Sequence, residues 1–464
     1  MRSKLRKGIA QVLLANAINL IISVFNGFII PKFLSIPTYA NYKTFLLYTS
    51  YVGILHFGFI DGVYIRYGGK NLEELSRKEL SSIQKTLFVF QFLITAIGVI
   101  VSPFIHDIYL FIAVLCVMPT NLQMIFRILF QATGEFKQYR RILNAQSITV
   151  FVFNILLILA LRNDDARVYA IGYFVISVIV WLLFAYDIRD LFVKTTIKLV
   201  DIVRMLKEYI GLGMIIMFGN FMSIWITSID RWFVKFRCSE NEFAYYSFAV
   251  SMLKLVNAVF GAFSVTLYNY FCEHHNNKQV KDIRKKIIII GAIIVSCSFP
   301  LRLVVDVFLT KYIPSETVMM YLILSQLFVV IINSIYMNLY KALNLQKRYL
   351  RIMIETSIIA VVANFIFGWI FDFSMVSFSY ATFLTMFIWL CRCQIDLREY
   401  RLETREWIYV ILTVCIFFIS CRFTSIIGFI SYLALVFLVA LVMFKDDMMS
   451  LLHMSISLVR RGKH

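Results

Sequence analysis

The chain has 464 residues, 60% of them hydrophobic and only 16% charged, with a net charge of +19 and a mean hydropathy of +0.79. A soluble chain of this length needs far more polar surface to cover itself, so a soluble enzyme is excluded and a polytopic membrane protein is expected. The excess of lysine and arginine is concentrated in every second loop, which is a topology signal and not the footprint of a nucleic-acid groove.

Roughly fourteen apolar stretches of about 18 to 25 residues follow one another, each long enough to cross a hydrocarbon core about 30 Å thick. They fall near 9–30, 42–63, 82–105, 108–131, 143–161, 168–186, 209–234, 243–269, 286–309, 318–340, 350–371, 375–393, 406–421 and 424–444. The first is too long for a cleaved signal peptide and lacks a small-residue cleavage site. Cations cluster at Arg2–Lys7, Arg66–Lys78, Lys137–Arg141, Lys194–Lys207, Lys278–Lys286, Lys347–Arg351, Arg392–Arg405 and the tail Arg460, Arg461 and Lys463. The alternate loops carry little more than Lys32, Lys311 or Arg422. The positive-inside rule then puts both termini in the cytoplasm, which requires an even number of spans. Contact with anionic lipid accounts for the basic loops without any nucleic acid.

The eight cysteines lie mostly inside spans (Cys116, Cys297, Cys415) or at their inner ends (Cys391, Cys393), where cysteine acts as a small hydrophobe. No spacing indicates a disulfide framework or a zinc site. The run Cys272-Glu273-His274-His275 reads as a solvated loop, because adjacent ligands on one short loop rarely close a tetrahedral site. No metal site and no cofactor are expected.

The chain repeats itself. At an offset of 204, Asn16, Asn19, Ser23 and Asn26 fall on Asn220, Ser223, Thr227 and Asp230, and Tyr39-Ala40-Asn41-Tyr42 falls on Phe243-Ala244-Tyr245-Tyr246. At an offset of 210, Leu129-Phe130-Gln131-Ala132 meets Leu339-Tyr340-Lys341-Ala342, and Lys137, Tyr139 and Arg141 meet Lys347, Tyr349 and Arg351. An even number of spans separates the copies, so both run through the membrane in the same direction. Parallel repeats of this kind make two lobes with a substrate site where they meet. The expected layout is therefore all-α: residues 1–186 form a six-span lobe, 187–208 a cytoplasmic linker, 209–393 a second six-span lobe, and 394–464 two added spans and a basic tail.

Three helices carry polar stripes. Helix 1 has Asn16, Asn19, Ser23 and Asn26; helix 7 has Asn220, Ser223, Thr227 and Asp230; helix 8 has Ser247, Ser251, Lys254, Asn257, Gly261 and Ser264. Spacings of three and four place each set on one helix face. Small and hydroxyl residues alone would serve as helix–helix glue; the Asn, Asp and Lys on the same stripes point to a water-filled cavity. Lys254 stands near mid-membrane, where a cation costs at least about 2.5–3.5 kcal/mol and so must face water, an anion or a partner. A salt bridge to Asp230 is the structural alternative. Its counterpart in the first half is Ser50. Arg231 lies toward the outer end of helix 7, where it has the alternative of reaching the interface. Arg302 and Asp306, four apart, are expected to pair with each other, and Asp61 and Arg66 close helix 2, Arg66 as part of the positive-inside belt. Pro119 and Pro300 should kink their spans. The chain has no Walker loop, no Gly-x-Gly-x-x-Gly, no His-Glu-x-x-His and no long outer loop, so covalent catalysis is not expected.

The string Gly58-Phe59-Ile60-Asp61-Gly62-Val63-Tyr64-Ile65-Arg66-Tyr67, together with Ser228-Ile229-Asp230-Arg231-Trp232-Phe233-Val234 leading to Phe243-Ala244-Tyr245-Tyr246-Ser247, resembles the polysaccharide-exporter branch of the multidrug/oligosaccharidyl-lipid/polysaccharide (MOP) transporter superfamily. The six-six-two plan fits the same family. This resemblance implies a Wzx-type flippase of the bacterial cytoplasmic membrane, carrying undecaprenyl-pyrophosphate-linked oligosaccharide for O-antigen, capsule or exopolysaccharide synthesis, with a polymerase and a chain-length regulator as possible partners. It also implies a cationic cavity: Lys254 is matched to that role, with Arg231, Arg302, Asp230, Asn257, Ser251, Asn220, Asn19 and Asn26 as further cavity residues. Asp61, Asp230 and Asp306 are candidates for coupling a proton or sodium ion. The alternatives are a lipid II flippase or cation-coupled drug antiporter of the same superfamily and, in a different class, a membrane-bound glycan polymerase or ligase.

Overall fold

The computed structural model describes residues 18, 20–273 and 276–451, with side chains described throughout except at 258–266, 268, 269 and 273. Asn16, Asn19, His274, His275 and the cations of the tail lie outside the described residues, as do the surroundings of Gly261 and the side chains of Ser264 and Glu273. Among the described residues the secondary structure is helical, with no strand.

The helices are α1 (Leu20–Phe33), α2 (Ile36–Val52), α3 (Phe59–Tyr67), α4 (Arg77–Val101), α5 (Ile108–Ala132), α6 (Phe136–Leu159), α7 (Ala166–Asp187), α8 (Leu199–Ile226), α9 (Ile229–Arg237), α10 (Glu240–Glu273), α11 (Asn277–Phe308), α12 (Thr310–Ala342), α13 (Gln346–Ile370), α14 (Met375–Asp396), α15 (Thr404–Ser420) and α16 (Ser425–Met443). Among the described residues, ten are long and apolar enough to cross a membrane, or eleven when the bent pair α2–α3 is taken as one span. Helices also occupy three other expected span positions: α1, short within the described residues, α10 at 34 residues, and α15 at 17 residues.

The repeat is written into the backbone. Ser35 caps α2 by accepting the Thr38 amide at 3.4 Å, and Ser239, 204 residues on, accepts the Glu242 amide at 3.3 Å. Further along, Gly134 and Asn344 both take positive φ, 78° and 55°, as do Arg162 and Asp372 at 46° and 50°. Each pair is 210 residues apart. The turn before α6 closes with Glu135 N–H donating to Phe130 C=O at 2.8 Å, and that before α13 with Leu345 N–H to Tyr340 C=O at 2.8 Å. Such bonds capture the carbonyls that a helix end leaves unpaired.

Several expected spans are broken, each for an identifiable reason. Helical bonding is interrupted at Cys116 within α5 and at Ser296–Cys297 within α11. These points lie three to four residues before Pro119 and Pro300, whose missing N–H leaves the carbonyl four residues earlier without its partner. The span expected over 42–63 turns sharply at Phe57 (φ 50°) and Gly58 (φ 88°), so that α2 and α3 are bent by 56°. Two carbonyls freed there are met by buried amides: Asn121 Nδ2 donates to Val52 O at 3.2 Å and Gln91 Nε2 to Leu55 O at 3.2 Å. Asn121 also donates to Gln91 Oε1 at 2.8 Å, which locks the two amides together.

The span expected over 209–234 is two helices, α8 and α9, with Thr227 and Ser228 between them. Its start is also earlier than expected, because α8 takes in part of the 187–208 stretch. The first half of α8 crosses α3 backbone to backbone. A Cβ on Gly62 would lie 2.1 Å from Tyr209 O, and one on Gly213 2.0 Å from Gly58 O. Only glycine allows that approach. Tyr209 is sealed there, 5.2 Å from the Phe59 ring and 3.2 Å from the Tyr67 hydroxyl.

The chain divides into two compact units between Trp225 and Ile226. In the second unit the added helices α15 and α16 pack on α11: Phe299 lies 5.8 Å from Phe417 and 5.6 Å from Tyr432, and the Tyr432 hydroxyl donates to Ala292 O at 2.8 Å.

Candidate functional site

Each unit carries its own polar feature. In the first, a cavity of about 380 Å³ lies among α1, α2, α5, α6 and α7. Asn26, Gln123, Arg127, Gln146, Ser147 and Tyr173 supply its polar wall. The wall is held by bonds to the backbone and hydroxyl of one residue: Gln123 Nε2 donates to Ser177 O at 2.6 Å and Gln146 Nε2 to Ser177 Oγ at 2.8 Å. Tyr42, also on the lining, accepts Asn154 Nδ2 at 3.2 Å and packs 5.7 Å from Tyr169. These bonds fix the amides and leave Arg127 half-buried, with no carboxylate paired to it among the described residues. A cation taken from water in this way needs an anion or water in the cavity.

Sequence patterning does not single out Arg127, because it stands five residues, about 7.5 Å, from the end of α5 and passes for part of the positive-inside belt. The clue is its spacing. Gln123 and Arg127 are four apart and face the same way, and neither belongs on an apolar face. Ser23 and Asn26, the described stripe residues of helix 1, are both brought to this cavity.

In the second unit, Asp230 is 4% exposed at the start of α9. One carboxylate oxygen accepts the Tyr246 hydroxyl at 2.6 Å and the Thr382 hydroxyl at 3.2 Å; the other accepts the Arg231 amide at 2.7 Å. The carboxylate is thus tied between α9, α10 and α14, and no Lys254–Asp230 salt bridge forms. The buried hydroxyls already satisfy Asp230, whereas Lys254 and Asn257 are exposed on one face of α10. The Arg231 Nε is buried with no hydrogen-bond partner among the described residues. Ser251, half-buried one turn before Lys254, turns its hydroxyl back to Ser247 O at 2.8 Å. Asn220 is exposed on α8, with Ser223 and Thr227 exposed on the same helix face and the turn after it.

Two further expectations change. Arg302 does not pair with Asp306: its Nε meets Glu316 Oε2 at 3.0 Å, and its NH1 reaches Cys421 O at 3.4 Å. Asp306 accepts the Ser425 hydroxyl at 3.1 Å instead. Glu316 is drawn in because α12 begins with a tight turn, Thr310–Ser315, that folds it back beside α11. Asp61 sits at the break between α2 and α3, with His56 Nε2 3.7 Å from its Oδ2. His56 Nδ1 accepts the Gly58 amide at 3.0 Å, which aims the other ring nitrogen at Asp61. Arg66 binds Glu208 and lies 3.5 Å from Glu79, as expected of a residue on the polar rim.

No family model matches the chain, and no curated protein sequence matches it. Solved structures do. The lipid II flippase MurJ, in an inward closed conformation, superposes with a TM-score of 0.66 at 14% identity, covering 95% of this chain and 99% of that one. An inward-facing multidrug resistance MATE family transporter of the MOP superfamily gives a TM-score of 0.54 at 12% identity, covering 85% of this chain and 98% of that one. At such identities the likeness establishes the fold, and the chain has the fold of these transporters.

Proposed function

We propose that this protein is a flippase that moves undecaprenyl-pyrophosphate-linked oligosaccharide repeat units across a bacterial cytoplasmic membrane by alternating access, for the synthesis of a surface polysaccharide. A pyrophosphate with several sugars cannot cross hydrocarbon unaided, since each unpaired polar group costs several kcal/mol. The observation that carries the reading is Arg127, a cation without a carboxylate partner among the described residues, on the wall of a cavity whose other polar lining groups are amides and hydroxyls. Amides and hydroxyls suit sugars; a guanidinium suits phosphate oxygens, which it grips with paired N–H donors. Arg231 and Lys254 supply a second cationic position, with Ser251 and Asn257 as polar neighbours on the helix of Lys254; Asn220, on α8, is a further candidate. Arg302, held by Glu316, is left with less freedom for such a role.

Asp230 with the Tyr246 and Thr382 hydroxyls is the proposed ion-coupling group, since oxygens of this kind also suit a hard cation. Asp61 with His56 is a second candidate and Asp306 a third. In this reading the positive-inside rule puts both termini in the cytoplasm, and a polymerase and a chain-length regulator are the partners such a flippase would serve. The second reading is a lipid II flippase, favoured by the likeness to MurJ, a protein described by that activity. Deleting the gene and identifying the lipid-linked glycan that accumulates separates the two. An accumulated repeat unit with loss of surface polysaccharide supports the first, and accumulated lipid II supports the second. Normal glycan lipids and an intact surface overturn both.

A further inference from the structure

The second unit contains a built cavity that the transport reading does not use. It has a volume of about 1130 Å³ and lies at the ends of α14 and α15, around residues 397–405. The loop is held from beneath. Arg284, 1% exposed, and Glu406, 0% exposed, form a buried two-pronged ion pair, with Nε to Oε1 at 3.0 Å and NH2 to Oε2 at 2.8 Å. The remaining Arg284 nitrogen donates to Tyr400 O at 2.8 Å, the same carbonyl that accepts the Tyr336 hydroxyl at 3.0 Å. Glu406 Oε2 accepts the Glu403 amide at 2.7 Å, and Gln394 Oε1 the Leu402 amide at 3.0 Å. Burying such a pair costs several kcal/mol per ion before its attraction is counted. It is maintained here to give an otherwise irregular loop one shape.

That loop presents Arg398, Arg401 and Arg405 outward, exposed, each without an ion-pair partner among the described residues. Of the carboxylates on the rim, Glu403 is bound to Lys281 at 2.5 Å, a contact that holds it below the usual carboxylate range, and only Glu399 opposes the arginines. A second, independent feature points to a ligand: Gln394, 7% exposed, lines the cavity and its buried Nε2 has no partner among the described residues. Ile395, 54% exposed, and Trp407 give the cavity an apolar side, the kind of surface found at the level of lipid headgroups.

We propose that this cavity binds a phosphate ester, with Arg398, Arg401 and Arg405 on its oxygens, and that the ester is the headgroup of an anionic phospholipid whose glycerol and chains lie along Ile395 and Trp407. The test uses the full-length protein in neutral detergent micelles, with bound lipid counted by native mass spectrometry as phosphatidylglycerol is added. The triple variant R398Q/R401Q/R405Q is compared with R77Q/K78Q/R140Q, which removes equal charge from other basic loops. The first variant should weaken binding by at least about tenfold and the second should leave this site's occupancy unchanged. Q394L, which leaves every charge in place, should weaken binding to a smaller degree. Equal losses in the two triple variants, or no loss in either, overturn the site. Competition distinguishes the source: if inorganic phosphate fills the site and phosphatidylglycerol does not displace it, the lipid assignment is overturned in favour of free phosphate.

Discussion

The polar cavity of the first unit and the cationic face of the second are built on one duplicated scaffold and yet are charged at different places. The caps at Ser35 and Ser239, and the turns at Gly134/Asn344 and Arg162/Asp372, coincide at offsets of 204 and 210. The charges do not. Arg127 corresponds to Met337, and Lys254 to Ser50. Tyr42 and Tyr246 are twins in sequence; Tyr42 accepts from Asn154, whereas Tyr246 donates to Asp230. Backbone hydrogen bonds must be satisfied in every copy inside a membrane, so the turns persist. A functional charge need occur only once along a substrate's path, and the duplicated halves are free to diverge there.

The largest effects should come from removing either cation. Arg127→Ala and Lys254→Ala should each abolish surface polysaccharide with protein level intact, and Arg127→Lys and Lys254→Arg should each retain part of it. A charge-assisted hydrogen bond lost in each case, about 1.5–3 kcal/mol, corresponds to roughly ten- to a hundredfold in export. Full export by Lys254→Ala with loss by Arg127→Ala would confine the substrate to the first unit. The comparison is sharpened by moving a charge to its repeat position. The double variant K254S/S50K keeps the net charge and should still fail to export; recovery would mean that the two positions are interchangeable.

Gly213→Ala should act on stability. Its Cβ would meet the Gly58 carbonyl, forcing α8 from α3 at about 1–3 kcal/mol, read as a lowered unfolding temperature in detergent. An unchanged transition would show that the crossing is looser than described. Tyr246→Phe removes one of the bonds to Asp230 and should cost about 1 kcal/mol, while Tyr42→Phe, whose hydroxyl accepts from the neutral Asn154 amide, should cost less. Equal losses would show that the Asp230 cluster is no more demanding than its twin.

Much of this was legible in the sequence where a local rule applied. The repeat could be read from Tyr39–Tyr42 and Phe243–Tyr246, and the Ser35 and Ser239 caps lie just before those strings. The helix breaks were partly visible: Pro119 and Pro300 mark two, but the bend at Phe57–Gly58 is hidden in a continuous apolar run whose freed carbonyls are met by Gln91 and Asn121 from other helices. Partners remote in sequence were not legible. Arg302 takes Glu316 in place of Asp306, Asp230 takes Tyr246 and Thr382 in place of Lys254, and Arg284 finds Glu406 across 122 positions. Arg127 is not singled out by the sequence because its distance from the helix end matches that of a rim cation, and only the cavity it shares with Gln123, Gln146 and Asn26 distinguishes the two.

The most direct test is to reconstitute the full-length protein in liposomes bearing a fluorescent undecaprenyl-pyrophosphate oligosaccharide and to follow its movement between leaflets. The wild-type chain should move the lipid, and the double variant R127A/K254A, equally well inserted, should not. Transfer by the double variant at the wild-type rate would contradict the account, because the two cations would then have no part in carrying the pyrophosphate.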